Sequence, residues 1–286
     1  TAIIWSHVPF RGNMFFSNGT DPILRYDGND VSYAGSVVMV NMDLAPLAES
    51  NPGSWAGGAT STVSKGGNGS QQVLNGQTAI YTFNTAHDFT AGIFGATAFG
   101  DTDRVRIWSR KNSGDANGTA VIRFRTSAAA YFERTITVSG NGTFTEDNVA
   151  RTSYAATGAP NWNNITSVYI NVSAGAGTYQ FDQFTLQYLL SPPIGGLIEM
   201  YNQQLVVAGI ATDLVAIQYS DAGTPDLFPA ANVARFSGGR HALLAADQIT
   251  ALHSYFDELI VGKVNSAWTF SGTGVNVSIS ALPLTI

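Results

Sequence analysis

Short apolar runs separated by tight turns dominate the last third of the chain. Residues 204–208 and 216–219 are apolar and rich in β-branched side chains, which predicts two strands. Residues 220–223 read Ser-Asp-Ala-Gly, a composition that typically forms a turn after the second strand.

A second series of runs follows in the same third. Residues 249–255, 259–263 and 268–271 are strand-like, and turn residues separate them at 257–258 and at 265–266. These three runs predict an antiparallel meander, and a fourth run at 241–245 precedes them. Four short strands in a row are the unit of a β-propeller blade.

A similar hairpin pattern occurs near the start of the chain. Residues 14–16 lead into Asn18-Gly19, a dipeptide that favours the tight turn of a two-residue hairpin. Residues 23–26 form the returning strand, and Asp27-Gly28 predicts another turn. We expect residues 28–35 to be a connection.

Residues 36–190, in the middle of the chain, have a different pattern of apolar and polar residues. From Val105 to Arg110 apolar and polar residues alternate at each step, which is typical of a half-buried strand. Seven strand candidates follow one another at steady spacing: 79–83, 89–94, 104–109, 120–125, 131–138, 167–172 and 177–188. With no convincing helix between them, they predict a jelly-roll β-sandwich.

Composition supports an all-β protein and excludes several functions. Of the 286 residues 30 are glycine, and only 12% are charged, about half the usual share. The net charge of −6 and the scattered basic residues argue against a nucleic-acid surface. Cysteine is absent, which excludes disulfides and thiolate sites, and no apolar run predicts a membrane span or a signal peptide.

Segments in both outer thirds resemble a known family. Residues 201–209, 218–223, 257–263 and 268–272 are similar to a blade that recurs in propeller-type virion proteins of tailed bacteriophages, such as tail, nozzle and hub components. Residues 14–28 are similar to the hairpin one blade earlier in those proteins. The resemblance implies about three blades, fewer than the usual four to eight, so we expect a partial or processed chain or a propeller completed elsewhere.

The middle region resembles a second family. Residues 161–170 and 177–186 are similar to the last strands of galactose-binding-like jelly rolls, the fold of many carbohydrate-binding modules. The predicted fold is therefore all-β, with partial propeller-type antiparallel blades and an inserted jelly-roll β-sandwich. We expect propeller-type strands at 1–35, the sandwich at 36–190 as an autonomous insertion, and propeller-type blades at 191–286.

No pattern predicts catalysis. His7, His87, His241 and His253 lack metal-ligand spacing, and His87 stands beside Asp88 without a nucleophile elbow elsewhere in the chain. The acidic residues lie mostly in turns, where aspartate bonds its own backbone, and no pair is suited to glycoside hydrolysis. We predict no enzymatic activity and no catalytic residues.

Two weaker site predictions remain. Trp55, Tyr154 and Trp162 lie in loop-like sequence and predict an exposed glycan platform, with burial as the alternative for each. The jelly-roll resemblance implies a structural calcium ion at Asp182, and the alternative is an aspartate bonded to backbone. No other cofactor is predicted.

Two classes of function follow. The first is a non-catalytic structural component of a phage virion, packed against other virion proteins and copies of itself, with the jelly roll as an outward decoration that contacts host surface glycan. Its localisation would be the virion. The alternative is a carbohydrate-binding or glycan-processing secreted or surface protein.

Overall fold

The computed structural model describes residues 5–28, 31–40, 53–65, 69–93, 98–112, 116–174, 176–236, 247–274 and 276–282. The predicted all-β class is confirmed, since these residues form antiparallel sheets joined by turns and short 3₁₀ segments such as Arg151–Ser153. The chain forms two compact units. Thr1–Ser36, Ile93–Ala96 and Leu190–Ile286 make the first, and Val37–Gly92 and Thr97–Leu189 make the second.

The first unit, here the stacked-sheet unit, contains three four-stranded antiparallel sheets in which each strand pairs with the next along the chain. Sheet I consists of β1 Ser6–Phe10, β2 Asn13–Ser17, β3 Leu24–Tyr26 and β4 Val31–Tyr33. Sheet II consists of β17 Leu197–Tyr201, β18 Gln204–Ala208, β19 Ala216–Tyr219 and β20 Val233–Arg235. Sheet III consists of β21 Ile249–Tyr255, β22 Glu258–Lys263, β23 Ala267–Thr273 and β24 Asn276–Ala281.

Sheet II lies between the other two sheets, and both of its faces are buried. In strand β18, Leu205 and Val207 belong to an apolar cluster shared with β1 and β2 of sheet I. Val206 and Ala208 point the other way, into a cluster shared with β22 and β23 of sheet III. Alternate residues of a strand face opposite sides, so the four residues 205–208 of this strand are all apolar. That explains why its sequence shows no alternation.

Buried ion pairs accompany these clusters. In sheet III, Lys263 Nζ lies 2.9 Å from a carboxylate oxygen of Asp247, with side-chain exposures of 0% and 3%. Arg25 and Asp226 form a second pair at 2.9 Å, with exposures of 9% and 1%. Charges removed from water to this extent are costly unless paired, so each partner depends on the other.

The second unit, here the sandwich unit, contains two six-stranded sheets. The front sheet has the order β14-β12-β11-β15-β9-β6, and the back sheet has the order β13-β10-β16-β8-β7 with β5 also paired to β16. The strands are β5 Ser36–Val40, β6 Gly53–Ala56, β7 Ala59–Ser61, β8 Ser70–Leu74, β9 Thr78–His87, β10 Arg104–Lys111, β11 Gly118–Arg125, β12 Tyr131–Val138, β13 Thr145–Ala150, β14 Ala155–Thr157, β15 Ile165–Ala174 and β16 Thr178–Gln187.

One close contact ties the two sheets of the sandwich together. Gly118 of β11 faces the fully buried side chain of Tyr179 on β16, and a Cβ atom at Gly118 would lie 1.8 Å from the tyrosine oxygen. Only glycine fits there. The front sheet contributes Ile122 and Phe124 to the core, and the back sheet contributes Val105 and Ile107, all fully buried. Two packed sheets of this kind make a β-sandwich.

Several predicted elements need correction. Residues 89–93 do not form a strand, because β9 has already ended and Phe89 lies in a turn. Residue 94, the last residue of that predicted strand, lies outside the described residues. The expected connection at 28–35 contains strand β4. The predicted strand at 241–245 also lies outside the described residues. Among the described residues, sheet III also contains β24, which follows the meander and pairs with β23.

Candidate functional site

The outward side of the front sheet carries an unusual set of side chains. Along β11 the residues alternate between buried and half-buried, with Ile122 and Phe124 in the core. Arg123 and Arg125 therefore stand on the opposite, outward side, because successive side chains of a strand point to opposite faces. Two arginines two residues apart share this face.

Strand register brings two tyrosines and a glutamate to the same place. Arg125 lies opposite Tyr131, and Arg123 lies opposite Glu133, across the β11–β12 pair. On the other flank Arg123 lies opposite Tyr169 in the β11–β15 pair. Directly opposed residues share a face and contact each other. We call these five residues the tyrosine–arginine face.

The guanidinium groups stack on the tyrosine rings. The guanidinium carbon of Arg125 lies 3.9 Å from the ring centroid of Tyr169. That of Arg123 lies 4.5 Å from the ring of Tyr131 and 5.1 Å from the ring of Tyr169. Cation–π contacts at such distances restrict the positions of both arginines. The face thus combines tyrosine rings and guanidinium groups in close contact.

The two arginines differ in their charge partners. Arg123 donates to Glu133 in an ion pair whose side chains are 27% and 33% exposed. Burial lowers the pKa of Arg123, but the hydrogen bond and charge of Glu133 outweigh it and raise the pKa above its ordinary value. Burial lowers the pKa of Arg125, and the charge of Arg123 acts in the same direction.

Polar side chains extend the face toward β9. The hydroxyl groups of Tyr169 and Thr78 are 3.5 Å apart, and Asn171 donates to the Thr78 hydroxyl at 3.0 Å. These three residues occupy β15 and β9, next to each other in the sheet. They continue the surface with hydroxyl and amide groups that can both donate and accept hydrogen bonds.

The predicted aromatic platform is not assembled as expected. Trp55 lies in β6 at one edge of the front sheet, and Tyr154 directly precedes β14 at the other edge. Trp55 is half-buried and lies opposite the buried Tyr81, at a ring distance of 5.3 Å, so it faces inward from the edge. Its role as a glycan contact stays a prediction.

Tyr154 and Trp162 are core residues, which corrects their prediction as exposed platforms. Tyr154 is 4% exposed, and burial raises its pKa far above the ordinary value. Trp162 is 7% exposed and stacks on Phe132 at 4.3 Å, with Arg151 over its ring at 4.8 Å. The sequence reads as a loop at both positions, but packing of the turns against Phe124 buries the rings.

Asp182 lies in β16 and is 3% exposed. One carboxylate oxygen accepts the backbone N–H of Lys65 at 2.7 Å, and the other accepts the backbone N–H of Gln183 at 2.7 Å. Within the described ranges, no group of three or more His, Cys, Asp or Glu residues converges on a cation position. Two N–H donors at one carboxylate fit an aspartate bonded to backbone, which was the alternative, and calcium at Asp182 stays a prediction.

The His87–Asp88 pair serves the local fold. The His87 ring lies 4.4 Å from Phe89 and 5.8 Å from Phe83, and burial lowers its pKa despite the neighbouring charge of Asp88. The Asp88 carboxylate accepts the backbone N–H of Thr90 at 2.7 Å and its hydroxyl at 2.6 Å. This aspartate therefore closes a turn instead of orienting the imidazole.

Sequence reasoning missed the tyrosine–arginine face although its signal was present. The alternation of β11 and β15 was recognised as evidence for strands, but the search for sugar-contacting aromatics was confined to loops. Tyr169 and Tyr131 occupy the polar phase of alternating strands together with Arg123 and Arg125. Aromatic residues in that phase are the signal that could have identified the face.

Among the residues that the structure describes, no helix is long and apolar enough to cross a membrane.

Comparison with known proteins gives structural neighbours alone. No family model and no curated protein matches the chain. A family 11 carbohydrate-binding module from Clostridium thermocellum, solved with a β-1,3-1,4-mixed-linked tetrasaccharide, is 11% identical and covers 55% of this chain and 98% of that chain, with a TM-score of 0.37. The carbohydrate-binding module TmCBM61, solved with β-1,4-galactotriose, is 11% identical and covers 48% of this chain and 88% of that chain, with a TM-score of 0.30.

The agarase AgWH50C is 10% identical over 54% of this chain and 27% of that chain, with a TM-score of 0.36. TM-scores of this size do not assign a ligand to the chain. The resemblance of the outer thirds to phage virion proteins stays a prediction.

Proposed function

We propose that the sandwich unit is a non-catalytic glycan-binding module and that the tyrosine–arginine face contacts the sugar. One observation carries the proposal: two tyrosines and two arginines from three adjacent strands meet on the outward side of one sheet.

The chemistry of the face suits a sugar ring. Sugars present apolar C–H faces that pack on flat aromatic surfaces and a rim of hydroxyl groups that need hydrogen-bond partners. The rings of Tyr131 and Tyr169 offer the flat surfaces, and the arginine edges, Glu133 and Asn171 offer donors and acceptors. Stacking already restricts both arginines, so less side-chain entropy is lost when a ligand binds.

Binding of the full chain to a panel of soluble oligosaccharides, measured by titration calorimetry, tests the proposal. We expect Tyr169→Ala to weaken binding about ten-fold, because one stacked ring contributes roughly 1–1.5 kcal/mol beyond its buried area. Tyr255→Ala is the matched control, since Tyr255 is 59% exposed but lies in sheet III. Equal losses for both variants, or no binding by the unaltered chain across the panel, would contradict the proposal.

A second candidate, assembly into a phage virion, is favoured by the stacked-sheet unit. Consecutive four-stranded meanders packed face to face are how propeller blades are arranged. The middle sheet of the three is covered on both faces by its neighbours. In this interpretation the outer faces are covered by a second copy of the chain, in the same way that sheet I covers sheet II.

The hairpin tips support that choice of partner. Within the unit, Arg11 at the β1–β2 tip donates to Gln203 at the β17–β18 tip at 3.1 Å. The corresponding β21–β22 tip of sheet III carries Phe256, which is 86% exposed, and the acidic Asp257. A second copy stacked on sheet III would bring its own Arg11 to this acidic tip, so the charges are complementary.

Sedimentation velocity of the full chain over a range of concentrations tests this second candidate. Concentration-dependent association that Asp257→Arg weakens and that a paired Arg11→Asp substitution restores would support copy-to-copy stacking. A monomer at all concentrations, or association indifferent to both changes, would remove the second candidate and leave the glycan-binding proposal untouched.

A further inference from the structure

Charge on the tyrosine–arginine face is unbalanced, although the whole chain carries a net charge of −6. Arg123 is neutralised by its ion pair with Glu133. The Arg125 side chain forms no hydrogen bond or ion pair with any residue that the structure describes, and its Nε atom is buried without a partner. The face thus holds one cation without a counter-charge.

Two other arginines in strands of the sandwich do have charge partners. Arg106 binds Glu146 and donates to Gln187 at 2.8 Å, and Arg134 binds Asp147 through two hydrogen bonds of 3.1 and 3.2 Å. Among the described strand residues, Arg110 on the back sheet also has a buried Nε without a partner, but its ring contact with Phe144 is longer, at 5.7 Å.

Resting on the proposed function, we propose that the tyrosine–arginine face selects glycans that carry a carboxylate, and that Arg125 anchors the carboxylate. The ligand class is a uronic-acid oligosaccharide. A guanidinium edge presents two parallel N–H groups whose spacing matches the two oxygens of a carboxylate, which gives a bidentate, charge-assisted pair.

The surroundings of Arg125 fit such a ligand. The contact with the Tyr169 ring restricts the position of the Arg125 guanidinium group. Ser167 and Tyr131 flank Arg125 in register on either side, and each brings a hydroxyl group. The sugar ring bearing the carboxylate would then lie over Tyr131, with its neighbours following the sheet toward Asn171 and Thr78.

The test compares a pectic galacturonate oligosaccharide with the same oligosaccharide after its carboxyl groups have been reduced to alcohols. For the full chain we expect the acid to bind about ten-fold more tightly than its reduced form. Arg125→Gln should remove this preference, so that the acid and its reduced form bind with equal affinity. Arg110→Gln is the matched control and should leave the preference intact.

The outcomes separate the two levels of the proposal. Equal affinity for both oligosaccharides, or loss of the preference in Arg110→Gln and not in Arg125→Gln, would overturn the carboxylate inference and leave glycan binding standing. Failure of both oligosaccharides and of the wider panel to bind would overturn the proposed function itself. A sulfated oligosaccharide that binds as tightly as the uronate would show selection for anions in general and would also overturn the inference.

Folding of the variants is checked by thermal melting, and Arg125→Lys provides a second readout. Lysine keeps the positive charge but lacks the planar fork. We expect it to retain an attraction that added salt screens, and to lose the preference for carboxylate over sulfate. An Arg125→Lys variant indistinguishable from the unaltered chain in both respects would contradict the bidentate geometry.

Discussion

Sheet II of the stacked-sheet unit and the front sheet of the sandwich unit differ in how many of their faces are buried. Strand β18 is buried on both faces, so every position from Gln204 to Ala208 is committed to packing. Strand β11 is buried on one face, which leaves Arg123 and Arg125 free to carry chemistry. A strand can present a binding surface only where the fold leaves one of its faces uncovered.

Ion pairs show the same contrast, and they give the largest predicted effect. The Lys263–Asp247 pair is buried, whereas the Arg123–Glu133 pair is about one-third exposed. We expect Asp247→Asn to destabilise the protein by about 3–5 kcal/mol, because it leaves the buried Lys263 without its counter-charge. Denaturant unfolding monitored by tryptophan fluorescence measures the loss. A change below 1 kcal/mol would contradict the buried pair.

The same aspartate predicts a pH dependence. Burial alone would raise the pKa of Asp247, but hydrogen bonds from Lys263 and the backbone N–H of Asn265 outweigh it and hold the pKa below its ordinary value. A carboxyl group with a lowered folded-state pKa stabilises the fold above its unfolded pKa, and this contribution is lost as the pH falls through the folded value. Asp247→Asn should flatten that acid limb of the stability curve.

The next largest effect concerns packing. Leu205 lies in the cluster between sheets I and II and is fully buried. Leu205→Ala should cost about 2–5 kcal/mol, since it removes buried methyl groups and leaves a cavity. Val121→Ala on the outward phase of β11 is the comparison and should cost less than about 1 kcal/mol. Similar losses at both positions would contradict the two-faced burial of sheet II.

The close contact between the two sheets of the sandwich predicts a smaller loss of stability. Gly118→Ala should destabilise the sandwich unit by about 1–3 kcal/mol, because the new methyl group displaces the buried ring of Tyr179. Tyr179→Phe combined with Gly118→Ala removes the clashing oxygen and should recover part of the loss. Thermal melting of the single and double variants checks this. Additive losses would show that the two residues do not touch.

The smallest effect is expected at the exposed ion pair. Glu133→Gln should change stability by less than about 1 kcal/mol, because the pair is partly solvated and screened by salt. It frees Arg123, however, so the same variant should increase affinity for the uronate oligosaccharide. A stability loss comparable to that of Asp247→Asn would erase the distinction between the buried pair and the exposed one.

A strand can be predicted from the sequence where its burial determines the local pattern of apolar and polar residues. The run from Gln204 to Ala208 and the alternation of Val105 to Arg110 predict their strands correctly, because burial on two faces or on one face leaves a direct imprint. The predicted meander stops before strand β24, although Val277 and Ile279 alternate there with polar residues and pack against the apolar cluster of sheet III. An edge strand of this kind does leave a period-two signal in the sequence.

The candidate site was harder to predict for a different reason. Tyr154 and Trp162 follow turn-like sequence, and their burial depends on contacts with Phe124 and Phe132, which are distant along the chain. Conversely, Tyr169 and Arg125 become neighbours only through the β11–β15 register, which sequence does not specify. Residue types could be predicted here, but their convergence could not.

Hydrogen-exchange mapping of the full chain, with and without the galacturonate oligosaccharide, tests the central claim most directly. Backbone amides of β11, β12 and β15 around Arg125, Tyr131 and Tyr169 should exchange more slowly when the ligand is present, while the amides of β18 and of the Phe256 hairpin should not change. Protection at the Phe256 hairpin alone, or an unchanged front sheet under conditions in which calorimetry detects binding, would contradict the account.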